Sequence, residues 1–182
     1  MPAIFFALIS NLGWAIGDIV GAVVTRRIGG YAVTFWMLFF TSLIFAVYIP
    51  FSLSDISKIT LSLLFLIILL AAIWLIGVIA YFEGLRVGNV SLVGTISASF
   101  SALVVILSII FLKEEITSFQ SAAIVVIFIG IVLSTLNLKE LVKTRLRFDN
   151  GILLALIAMV CWGIYFTFIN IPVREIGWFW PM

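Results

Sequence analysis

The chain has no histidine and one cysteine, Cys161, among its 182 residues. Lack of histidine removes the commonest general base, proton shuttle and metal ligand. A lone cysteine allows no intrachain disulfide and no thiolate metal cluster. Charge is scarce too. Only 10% of residues are charged, in short clusters between apolar runs, and the net charge of +2 marks no nucleic-acid face. The N-terminus lacks a basic n-region, and its long apolar run carries Asn11 and Asp18, so a cleaved signal peptide is not expected. No cofactor is expected, and nothing resembles a nucleotide-binding loop.

Apolar residues fill the chain instead. They make up 65% of it, and the mean hydropathy is +1.38. A soluble domain of this size could not cover its surface with so few polar groups. A spanning helix needs about 20 mostly apolar residues. Six runs qualify, near 3–24, 32–50, 61–82, 90–112, 118–137 and 151–172. The expected fold is therefore all-α, a polytopic membrane helix bundle with six transmembrane helices. The separators fit. Arg26 to Gly30 form a basic glycine turn, and Pro50 is expected to end the second run. Gly84, Gly88 and Asn89 break the third run from the fourth. Lys113-Glu114-Glu115 is a charged elbow, and Thr117 with Gln120 forms a capping-box pattern. Lys139 to Arg147 is the longest polar loop, and Asp149 to Gly151 supply turn and N-cap residues for the sixth run. Barrel strands of about ten alternating residues do not describe these long, evenly apolar runs.

The first run returns near the end. Residues 7–30 and 155–178, laid gapless at an offset of 148, agree at eight of 24 positions. The pairs Trp14/Trp162, Arg26/Arg174, Ile28/Ile176 and Gly29/Gly177 keep order and spacing. A duplicated membrane unit is implied, with one copy present and a second one opening.

Polarity inside the runs is concentrated in two places. In the first, Asn11, Trp14, Asp18, Ala22 and Thr25 share an arc at about 100° per residue. Gly13, Gly17 and Gly21 form a smooth stripe beside it, suited to close helix packing. An ionised carboxylate facing lipid costs at least a few kcal/mol, so Asp18 should face protein or a wet cavity. It is either a substrate or proton site, or a structural carboxyl that is protonated or reaches Arg26 or Arg27. Phe166 stands at its place in the second copy, so Asp18 is not part of the duplicated framework. In the fourth run, Ser91, Thr95 and Ser99 share one face, with Ser97 and Ser101 adjoining. Hydroxyls there suit a substrate-lined cavity and close helix packing equally. Glu83 and Arg86 read as an interfacial ion pair. Trp74, Tyr81, Trp162 and Trp178 to Trp180 fit an aromatic belt.

These features resemble the drug/metabolite transporter superfamily and, within it, the EamA-like family. Trp14-Ala15 and Trp162-Gly163 look like the family's early tryptophan followed by a small residue. Tyr81-Phe82-Glu83-Gly84-Leu85-Arg86-Val87-Gly88 is similar to its aromatic-x-x-small-Leu-x-x-Gly segment. Leu112 to Ile116 look like its Leu-Gly-Glu-Arg-Leu elbow, with Lys113 and Glu115 replacing Gly and Arg, and Thr95 and Ser101 stand where the family often has prolines. The resemblance implies a partial inverted-repeat (5+5) transporter fold, with access alternating around a midplane site. The first five-helix repeat would cover 1–138, a loop 139–150, and the start of the second repeat 151–182. It implies a secondary carrier, an exporter of small organic metabolites such as amino acids, in the plasma membrane and not an enzyme. Substrate would meet Asn11, Trp14, Asp18, Ser91, Thr95 and Ser99.

A ten-helix carrier needs roughly 120 residues more, so the expectation is a truncated or partial chain, or one joined by another chain supplying the missing half. Its sixth helix would then lack its partners. The alternative is a non-transporting membrane scaffold or degenerate remnant. Expected partners are the lipid bilayer and a small-molecule metabolite, with no nucleic acid and no metal. The charge count places the N-terminus outside, whereas the resemblance implies a cytoplasmic N-terminus.

Overall fold

The computed structural model describes residues 2–115, 117–135 and 150–182. All regular structure among them is helical. In chain order the helices are α1 (Pro2–Ile28), α2 (Gly30–Ala46), α3 (Ile49–Ser52), α4 (Leu61–Val87), α5 (Val90–Ala98), α6 (Phe100–Leu107), α7 (Ser118–Thr135), α8 (Asn150–Phe168) and α9 (Asn170–Ile176). Four stretches among the described residues are long and apolar enough to cross a membrane: Phe5–Ile28, Leu61–Val87, Val90–Leu112 and Asn150–Ile176. A fifth arises if Gly30–Ala46 and Ile49–Lys58, bent by 64°, form one broken span. The expected fifth run, 118–137, coincides with α7 as far as residue 135. The end of that run, the loop Lys139–Arg147 and Asp149 lie outside the described residues.

Local chemistry sets the boundaries. The Thr60 hydroxyl oxygen accepts from the Leu63 N–H at the start of α4, and Asn89 Oδ1 accepts from the Ser91 and Leu92 N–H groups at the start of α5. The capping box expected before α7 is present. Thr117 Oγ1 accepts from the Gln120 N–H at 3.3 Å, and Gln120 Oε1 accepts from the Thr117 N–H at 2.9 Å. Pro50 does not end the second helix, which stops at Ala46. Pro50 lies in the first turn of α3, where its missing N–H breaks no helical bond.

The run at 90–112 is interrupted at Ser99, between α5 and α6. The hydroxyls of Thr95, Ser99 and Ser101 donate back to the carbonyls of Ser91 (2.7 Å), Thr95 (3.0 Å) and Ala98 (3.1 Å). Such back-bonding bends helices. A π turn at Ser108–Leu112 follows, and Lys113 closes it with φ 52, a left-handed conformation.

Helix association in lipid relies on close packing, which small residues permit. The main seam here joins α4 to α8, with α5 and α6 also against α8. A Cβ on Gly77 would stand 2.8 Å from Trp162 Cδ1, and one on Gly88 would stand 2.9 Å from Gly151 Cα. Ala155 and Ala158 are fully buried. The sixth run packs on α4 because its small-residue face fits there. The expected Gly13–Gly17–Gly21 stripe is used only at its end. Gly21 meets the Phe82 ring, whereas Gly13 and Gly17 have nothing within 4 Å of a built Cβ.

The two similar stretches, 7–30 and 155–178, share backbone geometry at one matched glycine each. Gly29 follows α1 with φ 90 and ψ 154, and Gly177 follows α9 with φ 83 and ψ 174. The Gly29 N–H donates to Thr25 O, and the Gly177 N–H donates to Val173 O, its repeat counterpart.

Candidate functional site in the first membrane helix

One end of α1 is tied firmly to α4. Thr25 is fully buried and its hydroxyl donates to Phe82 O at 3.2 Å. Arg26 Nε donates to Leu85 O at 3.3 Å, and its Nη2 donates to Gly88 O at 3.1 Å. A cation thus meets the last carbonyls of α4, where the helix dipole favours it. Glu83 answers from the other side. Its Oε1 accepts from the Gly30 N–H at 2.8 Å, the first N–H of α2, and its Oε2 meets Arg86 Nε at 2.7 Å. The expected Glu83–Arg86 pair is present, with the added task of capping α2. The reading in which Arg26 reaches Asp18 is overturned, because the carbonyls at the end of α4 hold that guanidinium.

Asp18 sits two turns further along α1, half-buried. Tyr81 of α4 is its polar neighbour. Tyr81 belongs to the buried cluster that includes Ala22, Val78, Phe82 and Leu85. Its ring centroid lies 5.1 Å from that of Trp162 on α8, tilted by 51°. Trp162 in turn packs edge-on against Phe100 of α6 at 5.8 Å. Trp162 and Tyr81 are therefore core residues and not interfacial belt residues.

The other expected site residues are dispersed. Asn11 and Trp14 are exposed on the unpacked part of α1, Trp14 at 58%. Ser91, Thr95 and Ser99 are half-buried, and Thr95 and Ser99 spend their hydroxyl protons on their own helix. The helix α1 packs on α4 and α2, while α5 packs on α8, α4 and α7. The two polar strips are thus joined through α4 and not by a packed interface of their own.

Three buried polar atoms have no hydrogen-bond partner among the described residues: Thr34 Oγ1, Ser97 Oγ and Trp162 Nε1. Tyr81, Ser97 and Trp162 are absent from the sequence-derived site. In the sequence Tyr81 reads as a belt residue and as the aromatic of the segment closing the third run. Its burial depends on helix packing, which no local pattern encodes. Among the described residues, no group of three or more His, Cys, Asp or Glu is placed to hold a metal ion.

A sequence model described as the EamA-like transporter family matches residues 1–136. No curated protein and no solved structure matches the chain.

Proposed function

Because the chain belongs to the EamA-like transporter family, and its apolar helices make it a multi-pass integral membrane protein of the lipid bilayer, we propose that it is a secondary carrier exporting small organic metabolites such as amino acids across the plasma membrane. Its spans are six, arranged as a first five-helix repeat over 1–138, a loop over 139–150 and a second repeat opening at 151. The inverted second copy supplies the other half of a midplane cavity. The cavity is lined by Asn11, Trp14 and Asp18 of α1 and by Ser91, Thr95 and Ser99 at α5.

The observation that carries this reading is the half-buried Asp18 carboxyl inside a spanning helix, which takes part in none of the ion pairs among the described residues. An intramembrane acid without a basic partner suits proton or cation exchange more than scaffolding. The shared geometry of Gly29 and Gly177 supports the duplication.

The test is transport. Proteoliposomes loaded with a panel of labelled amino acids should show saturable efflux driven by a pH gradient with the full-length protein. Absence of flux for the whole panel, with correct insertion, would favour the scaffold reading.

A further inference from the structure

The second run breaks between Ala46 and Ile49, and the bend leaves a hollow of about 280 Å³. Two distant parts of the chain wall it: Val47, Tyr48 and Phe51 at the bend, and Trp178 and Phe179 after α9. Phe179 stacks on Phe45 at 6.0 Å, and the Tyr48 ring lies 5.1 Å from both Trp178 and Phe179. The Trp180 indole N–H donates to Ser52 O at 2.9 Å, which ties this wall to the end of α3. The hollow is open at its rim, where Val47 is 74% and Phe51 75% exposed. Charge stands beside it. In the short helical turn Leu53–Lys58, Lys58 Nζ meets Asp55 Oδ1 at 2.7 Å. Asp55 Oδ2 lies 3.9 Å from a Cβ built on Gly177, the residue before Trp178. An apolar hollow and a pair of opposite charges thus share one end of the spans.

We propose that this hollow binds one membrane phospholipid with a zwitterionic headgroup, an acyl chain lying against Tyr48, Phe51 and Trp178 and the phosphate and ammonium meeting Lys58 and Asp55. Such a site would serve a carrier and a scaffold alike. Other chemistry fits it less well. Among the lining side chains the polar atoms are the Tyr48 hydroxyl and the Trp178 indole N–H. The charged groups of an amino acid would lie unpaired there. The volume falls just below the roughly 300–1,000 Å³ of small-molecule pockets, which suits part of a chain. An acyl chain gains little merely by leaving other lipid tails, which are as apolar as any side chain. Selection must therefore come from the shape of the hollow and from the headgroup. Lys58 and Asp55 offer one charge to each end of a phosphoethanolamine, and the carboxylate disfavours a headgroup that is anionic only.

The experiment needs no substrate. The full chain is reconstituted in vesicles of phosphatidylethanolamine and phosphatidylglycerol in equal parts, extracted in mild detergent and weighed by native mass spectrometry. One phosphatidylethanolamine per chain should be retained, roughly fivefold over phosphatidylglycerol, the size of one exposed ion pair. Val47→Trp fills the hollow from an exposed position and should strip the lipid with helix content unchanged. Phe65→Trp, on the exposed face of α4, should leave it bound. Asp55→Asn should reverse the preference toward phosphatidylglycerol. A wild type that retains no phospholipid, or retention untouched by Val47→Trp, overturns the site. Equal retention of the two lipids overturns the headgroup assignment. A two-chain mass that Val47→Trp splits would make the occupant a second copy and overturn the proposal as well. If Val47→Trp does not fold, phosphatidylethanolamine bearing a diazirine on one acyl chain is photolysed with the wild type in the same vesicles. Adducts concentrated on Tyr48, Phe51 and Trp178 support the site, and adducts spread evenly over the exposed faces of α1 and α4 overturn it.

Discussion

Gly29 and Gly177, 148 positions apart in the chain, hold the same backbone geometry, with φ 90 and 83 and ψ 154 and 174. Side-chain-bearing residues rarely enter this region, so glycine at both places answers a backbone demand. Each glycine releases the chain from a helix that ends on a repeated Arg-x-Ile sequence. Gly29→Ala and Gly177→Ala should each destabilise by about 1–3 kcal/mol, read as lowered melting temperatures in detergent. An Ala variant melting like wild type at either position would show that the strain is relieved elsewhere.

Lys113 presents the opposite case. It carries φ 52 at the elbow after the π turn, a conformation that costs a lysine side chain and not a glycine. Lys113→Gly should therefore stabilise the protein by roughly 0.5–1 kcal/mol, the left-handed penalty less the entropy that glycine adds to the unfolded chain. Thermal unfolding in detergent checks it. A lower melting temperature would mean that the lysine side chain contributes more than its backbone costs.

The α4–α8 seam predicts a steric effect. Gly77→Ala places a methyl 2.8 Å from Trp162 Cδ1, so the indole must move. Destabilisation of about 1–3 kcal/mol is expected from such overpacking. The same change combined with Trp162→Leu should cost less than the sum of the two single changes. Full additivity would place the clash elsewhere.

Glu83 joins α4 to α2, so Glu83→Gln should be costly for a side chain near a helix end. It weakens the charge-assisted bond from the Gly30 N–H and removes the charge facing Arg86. A loss of about 1–3 kcal/mol is expected, with Arg86→Gln costing less because that side chain is the more exposed of the two. Equal losses from the two variants would contradict the capping role.

The sequence made much of this arrangement legible, and the reasons differ by element. The apolar runs and their caps are local, so the Thr117–Gln120 box could be read directly and appears as expected. The Glu83–Arg86 pair lies three residues apart on one helix, within reach of a pattern argument. Helix partners are not local. The stripe on α1 had the right spacing for a packing face, yet the close seam formed between α4 and α8, where Gly77 meets Trp162 and both Gly84 and Gly88 meet Gly151. Burial of the Ala22–Thr25 half of the α1 arc was likewise set by α4 and not by periodicity. Asp18 was found because an acid in a span is conspicuous. Tyr81 escaped because a tyrosine near the end of a span has an ordinary explanation in the interfacial belt.

The central claim is that Asp18 serves transport and not folding. The most direct measurement is flux through Asp18→Asn in the full-length protein, alongside its expression and melting temperature. The substitution keeps the shape of the side chain while removing the exchangeable proton. The account predicts normal expression and insertion, with flux lost or stripped of its dependence on pH. An Asp18→Asn protein that expresses well and carries substrate with an unchanged pH profile would contradict it.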